Sequence, residues 1–98
     1  MQIEFEGEVF RWSARREDGY FATLPADVSE LIRQIPRPLR GFAAVRAAVR
    51  IGASSWRTSI FPDAERGIYV LSLKRAVQDA EGISDGGTVV VSLAVLDV

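Results

Sequence analysis

The sequence contains no cysteine and no histidine. The first absence removes disulfides, thiolate zinc sites, iron–sulfur clusters and cysteine nucleophiles. The second removes the side chain best suited to proton transfer near neutral pH. With it go the serine–histidine–aspartate triad and histidine-ligated metal centres. A carboxylate pair or a serine–lysine pair is what remains for catalysis. Lysine is scarce as well: of twelve basic residues, only Lys74 is not arginine. No apolar run approaches the roughly 18 residues of a membrane-spanning helix. The chain opens Met-Gln-Ile-Glu-Phe-Glu, without the basic start and apolar block of a signal peptide. A cytoplasmic location away from membranes is the resulting expectation.

What is present fits one ordinary globular domain over residues 1–98, with 48% hydrophobic and 26% charged residues. A chain of this length buries roughly 65% of its unfolded surface, enough for one core without staples. The net charge of −1 exerts no general pull on nucleic acid. Its distribution is uneven, because the segment from Leu31 to Pro62 holds six arginines and no acid. Arginine suits bidentate contact with phosphate or carboxylate, although a genomic preference for arginine codons yields the same count.

Strand signals dominate the chain. Ile3 and Phe5 alternate with Glu4 and Glu6, predicting a first strand over 3–13 with one wet face. Gly7 marks a bulge or bend within it. A polar turn ending at Gly19 leads to a second strand from Tyr20 to Leu24. A third strand runs from Phe42 to Ile51, a four-residue loop covers 52–55, and a fourth strand follows from Trp56 to Phe61. A fifth is expected over Ile68–Leu71. The strongest runs from Thr88 to Leu96, with Val89, Val91, Leu93 and Val95 on one side.

Two short helices interrupt these strands. Asp27 as N-cap and Glu30 three residues on resemble a capping box, with Val28, Leu31, Ile32 and Ile35 as the apolar stripe. Ser72 is expected to cap the second helix, whose stripe is Leu73, Ala76, Val77 and Ala80 and whose left-handed C-terminal residue is Gly82. About six strands joined mostly by hairpins predict a mainly β fold, a closed or half-closed β-barrel with two short helices. A barrel this small fills itself with side chains, so neither a large ligand cavity nor a cofactor is expected.

Several stretches carry a family resemblance: Leu24-Pro25, Trp56-Arg57-Thr58-Ser59-Ile60-Phe61-Pro62, and Gly67-x-Tyr69-x-Leu71-x-Leu73-Lys74-x-Ala76-Val77. Glu81-Gly82 and Gly86-x-Thr88-Val89-x-Val91 complete the set. Together they make the chain resemble the bacterial domain-of-unknown-function family nineteen-zero-five. That resemblance implies a double-split β-barrel, related in fold to AbrB-like regulators and antitoxins. It also implies the stand-alone form of a domain often fused to a bacteriocin-protection (OmpD-associated) domain. It carries over no catalytic residues.

Four groups are candidate sites, each with a structural alternative. Arg46 and Arg50 share a strand face that Arg57 joins if the register allows, forming an anion or nucleic-acid contact or a solvated exterior. Trp56, beside Arg57, stacks bases or belongs to the core, and Phe61 joins it or covers a barrel end. Ser72 and Lys74 are a nucleophile pair or a helix cap with a surface lysine. Asp79, Glu81 and Asp85 are a hard-cation site or a solvated cluster, without a spaced calcium loop or phosphate-binding glycine motif. No metal site is expected.

The expectation is therefore a non-catalytic binding or interaction module, not an enzyme. Its partner would be a protein or a small anionic ligand, as monomer or homodimer, with Val90, Leu96 and Phe61 marking a partner surface. The alternative is AbrB-like nucleic-acid binding, which Glu4, Glu6 and Glu8 in the first hairpin oppose.

Overall fold

The computed structural model describes residues 2–12, 19–35 and 44–96. Along the chain run β1 (Gln2–Trp12), β2 (Gly19–Thr23), α1 (Ala26–Arg33), β3 (Val45–Ile51) and β4 (Ser54–Asp63), then β5 (Ile68–Leu73), α2 (Arg75–Glu81) and β6 (Thr88–Val95). The strands form a closed antiparallel barrel in the order β1-β2-β5-β4-β3-β6. This is the mainly β, six-stranded class that the pattern predicts. The polar segment 13–18 and the loop 36–43 lie outside the described residues. Among the described residues, no helix is long and apolar enough to cross a membrane.

Closure rests on β1, which serves two neighbours. Gln2 to Glu8 pair with β6, and Val9 to Trp12 pair with β2. Gly7 stands where the partner changes, and the register passes through it opposite Val89 without an inserted residue. It is therefore no bulge. Space is what demands glycine there, since a Cβ would lie 2.5 Å from the Thr23 carbonyl oxygen. The turn before β6 ties in at the same point: Val9 N–H donates to the Gly87 carbonyl (2.8 Å), and Gly86 N–H donates to the Val9 carbonyl (2.9 Å).

Alternation sends one side of each strand inward. Val89, Val91, Leu93 and Val95 of β6 are buried together with Val45, Ala47, Val49 and Ile51 of β3. Helix α1 adds Val28 and Ile32 to this core, Ile35 follows just past its end, and Ile83 packs against it after α2.

The helices depart from their predicted ends. Helix α1 starts at Ala26 behind Pro25, whose fixed φ and missing N–H suit the entry, and no side chain caps it. Asp27 lies in the first turn and accepts from Val28 N–H (2.9 Å), while Glu30 pairs with Arg33 instead of closing a capping box. Leu31, expected in the core stripe, is 47% exposed. Ser29 takes the buried flank instead, because the helix docks through that side on the β2–β5 ladder. Ser72 does not cap α2 either. Strand β5 continues through Leu73, Ser72 pairs with Phe21, and Lys74 occupies the N-cap position. Of the expected stripe on α2 itself only Val77 is buried. Gly82 adopts the left-handed conformation at the C-terminus (φ 63°, ψ 37°), and Ile83 N–H closes the turn on the Gln78 carbonyl.

Ser29 is fully buried, and its hydroxyl donates to the Leu24 carbonyl (3.2 Å) and accepts from Tyr69 N–H (3.0 Å). It thereby satisfies backbone groups where β2 gives way to α1. Two predictions follow from this packing. Ser29→Ala strands a buried donor and acceptor and lowers the unfolding free energy by about 1–3 kcal/mol. Gly7→Ala forces Cβ against backbone at the closure point and costs about 1–3 kcal/mol. Urea unfolding followed by circular dichroism reads both losses, and an unchanged midpoint for either variant would contradict its assigned role.

Candidate functional site

Strand β3 alternates strictly, with Val45, Ala47, Val49 and Ile51 inside and Arg46 and Arg50 exposed. Ala48 sits between those arginines on the outer face. The β3–β4 connection is a tight turn at Gly52 and Ala53, with Ile51 opposite Ser54, rather than the four-residue loop expected over 52–55. Gly52 adopts φ +57°, and the Glu81 carboxylate presses against it while accepting from the Ser54 hydroxyl (2.8 Å). This turn sets the register. Arg57 faces Ala48, Arg50 faces Ser55 and Arg46 faces Ser59. Arg57 is therefore the diagonal neighbour of both Arg46 and Arg50, at the roughly 7–8 Å typical of such pairs. All three are exposed on one outer face.

From β3 the sheet curves through β6 to β1. Arg50 lies opposite Ser92 and Ala48 opposite Ala94. On the far side of β6, Ser92 lies opposite Glu4, and its hydroxyl donates to Glu4 Oε2 (3.3 Å). Glu6 and Glu8 follow along β1, and all three acids are exposed. The barrel exterior thus carries arginines on β3 and β4 and acids on β1, and the closed strand order sets β1 on the side of the barrel opposite β4.

Trp56 does not join the arginines. It pairs with Val49, points inward and packs against the core, with its indole Nε1 buried and without an acceptor among the described residues. Phe61 faces outward opposite Val70 and is 44% exposed. Ser72 is a strand residue and Lys74 is exposed at the start of α2, so the pair is not assembled at a helix start. Asp79 pairs with Arg75 (3.4 Å) and Glu81 turns to Ser54. No group of three or more acids among the described residues converges as a metal site would. Arg33 is held on α1 by Glu30 and by the Gly67 carbonyl. Arg37 and Arg40 lie outside the described residues.

A second electrostatic feature escaped the sequence reading. In the β4–β5 turn Arg66 donates to Asp63 Oδ2 (2.8 Å), and its guanidinium lies 4.1 Å from the centre of the Phe10 ring. Phe10 stacks on Phe21 at 5.6 Å. Asp63 Oδ1 also accepts from Glu65 N–H (3.1 Å). The available signal was an aspartate opening a Gly-terminated turn, the pattern of an Asx turn. The hydrogen bond from Arg66 holds the Asp63 carboxyl below the ordinary aspartate range, outweighing the upward push of burial.

The strand order and packed core define a small closed β-barrel domain. The family model described as "Domain of unknown function (DUF1905)" matches residues 5–93, and the chain belongs to that family. A search of curated proteins finds no match.

A carboxyl depressed in the folded state stabilises the fold above its unfolded pKa, and that contribution is lost as pH falls through the folded value. Asp63→Asn keeps the Oδ1 acceptor but removes the charge. It should cost under about 1 kcal/mol at pH 7, as for other partly exposed ion pairs. The gap from wild type should close on acidification below the aspartate range. Urea titrations from pH 7 down to acid read this, and a gap that does not shrink would remove Arg66 as the cause.

Proposed function

We propose that the chain is a non-catalytic binding module that presents Arg46, Arg50 and Arg57 to an anionic partner, either an acidic protein surface or a small phosphate- or carboxylate-bearing ligand. The observation that carries this reading is the placement of the three arginines as diagonal neighbours on one exposed face. Each guanidinium offers a planar fork matched to carboxylate or phosphate. Ser55 and Ser59 stand opposite Arg50 and Arg46 and add hydroxyl donors beside them. An interior filled by its own side chains supports recognition on the surface instead of in a cavity.

The chemistry of the chain supports binding over catalysis. It has no histidine or cysteine to move protons or attack a substrate. The Asp63 carboxyl is shifted down, away from the range a general acid needs. An AbrB-like grip on nucleic acid fits less well, because the exposed Glu4, Glu6 and Glu8 of β1, beyond β6 from the arginines, repel a phosphate backbone that wraps the barrel.

The test is a nuclear magnetic resonance titration with triphosphate and, separately, with oligoglutamate, observing the guanidinium Nε–H signals. Expected are shifts confined to Arg46, Arg50 and Arg57, and at least about tenfold weaker binding in the Arg46→Gln/Arg50→Gln/Arg57→Gln variant. Equal binding by that variant, or shifts elsewhere, would overturn the reading. Salt-sensitive capture of random duplex DNA would favour the nucleic-acid alternative instead.

A further inference from the structure

The outer side of the adjacent strands β3 and β4 is laid out in levels along the strand axis. Arg50 stands opposite Ser55, Arg57 opposite Ala48, and Arg46 opposite Ser59. Phe61, two residues beyond Ser59 and 44% exposed, is the diagonal neighbour of Arg46. Successive levels are two residues apart, about 6.8 Å. The arginines therefore step along the seam between the two strands at a constant interval, one cation per level, and an exposed aromatic ring closes one end. Both strands are paired on both sides, β3 with β4 and β6, and β4 with β3 and β5. Neither offers a free edge for strand addition, so recognition along the seam falls to side chains.

We propose that this seam takes an extended acidic peptide segment, with acids at three alternate positions and an apolar residue at the next alternate position. The proposal rests on the reading of Arg46, Arg50 and Arg57 as an anion-binding group and names its partner. An extended chain repeats its like-facing side chains every two residues, again about 6.8 Å. Three alternate acids thus meet Arg50, Arg57 and Arg46 in turn, and the fourth like-facing side chain lies on Phe61. A helix repeats a face at about 6 Å per four residues and drifts out of step. Small ligands favour concave sites, whereas the outside of a barrel is convex. A single nucleic-acid strand needs a row of aromatic platforms for its bases. Of the two aromatic residues on β3 and β4, Trp56 points inward and only Phe61 faces out. Acids bound the seam at its ends. Asp63 follows Phe61 on the same side of β4, and Glu81 presses on the Gly52 turn beyond Arg50, so a longer acidic run gains nothing.

Exposed ion pairs are each worth at most about fivefold in affinity. Binding is therefore weak and salt-sensitive. Specificity comes from matching the interval of the arginines with all three acids at once.

The experiment is a nuclear magnetic resonance titration of the full chain with two capped peptides of identical composition, each built from leucine, glutamate and threonine. In the first, three glutamates stand at every second position, the nearest of them two residues from the leucine. In the second, the glutamates stand at every third position, so that successive acids point to opposite sides of an extended chain. Each peptide is made in both chain directions. The alternating peptide, in one of its directions, should bind at least about fivefold tighter than the rearranged one, with shifts at the Arg46, Arg50 and Arg57 Nε–H signals and at the Phe61 ring. Arg50→Gln/Arg57→Gln should abolish the difference between the two peptides. Phe61→Thr should weaken the alternating peptide at least about twofold and leave unchanged a version with threonine in place of leucine. Circular dichroism establishes that each variant is folded. Equal affinity for the two arrangements overturns the inference, as does a preference that survives in the double variant. Tighter binding of an oligothymidylate of equal charge also overturns it, in favour of a nucleic-acid strand. Arginine shifts with triphosphate or oligoglutamate but no preference for the alternating peptide keep the anion-binding module and lose the extended segment, whereas a chain that binds none of these anions loses both.

Discussion

Sharing of β1 between two neighbours is the constraint on which the rest of the structure depends. Its first half closes on β6 and its second half on β2, so a single strand joins the first and last hydrogen-bonded partners of the sheet. Without that junction the barrel would have two unpaired edges. Gly7 lets the Thr23 carbonyl approach at the crossover, and the Gly86–Gly87 turn locks on Val9 beside it. Once the barrel is closed, inside and outside are defined for every strand. A slip of one residue in β3 would drive Arg46 and Arg50 into the core and expel Val45, Ala47 and Val49. The arginine face is therefore a consequence of closure as much as of local sequence.

The two helices are subordinate to the barrel. At eight and seven residues both are too short to be stable alone. Neither has a side-chain N-cap. Tertiary polar contacts hold them in place. Ser29 of α1 bonds to backbone groups of Leu24 and Tyr69, and Glu81 of α2 bonds to Ser54 beside the Gly52 turn. The second contact links helix and site. By clamping the β3–β4 turn, Glu81 supports the register that places Arg57 between Arg46 and Arg50.

No charged residue among the described residues is buried in the barrel. The interior is occupied by its own aliphatic side chains, and the family to which the chain belongs is defined without an assigned activity. What distinguishes the exterior is separation of charge across four strands, with acids on β1 and arginines on β3 and β4.

Much of the fold was legible because period-two patterns are strong in β3 and β6, where valine, leucine and alanine alternate with polar or small residues. The Gly82 helix stop was legible for a similar reason, since few residues adopt positive φ. Asp27 and Ser72 misled because good capping residues are only useful where the chain leaves a strand, and pairing with Phe21 carried β5 past Ser72. Leu31 misled because helical spacing identifies a stripe but not the flank that a neighbouring ladder will bury. For the site, alternation alone put Arg46 and Arg50 on one face and gave Trp56 and Arg57 opposite parity. The spacing of Arg57 was not accessible in this way. A four-residue loop would set it opposite Arg50, whereas the two-residue turn sets it opposite Ala48. By itself the sequence determined the alternation of each strand and the exclusion of histidine and cysteine chemistry, because these are properties of single residues and their neighbours. Only the tertiary structure decided register, closure and the meeting of Arg57 of β4 with Arg46 and Arg50 of β3, because cross-strand pairing depends on turn length and on contacts between residues far apart in the chain.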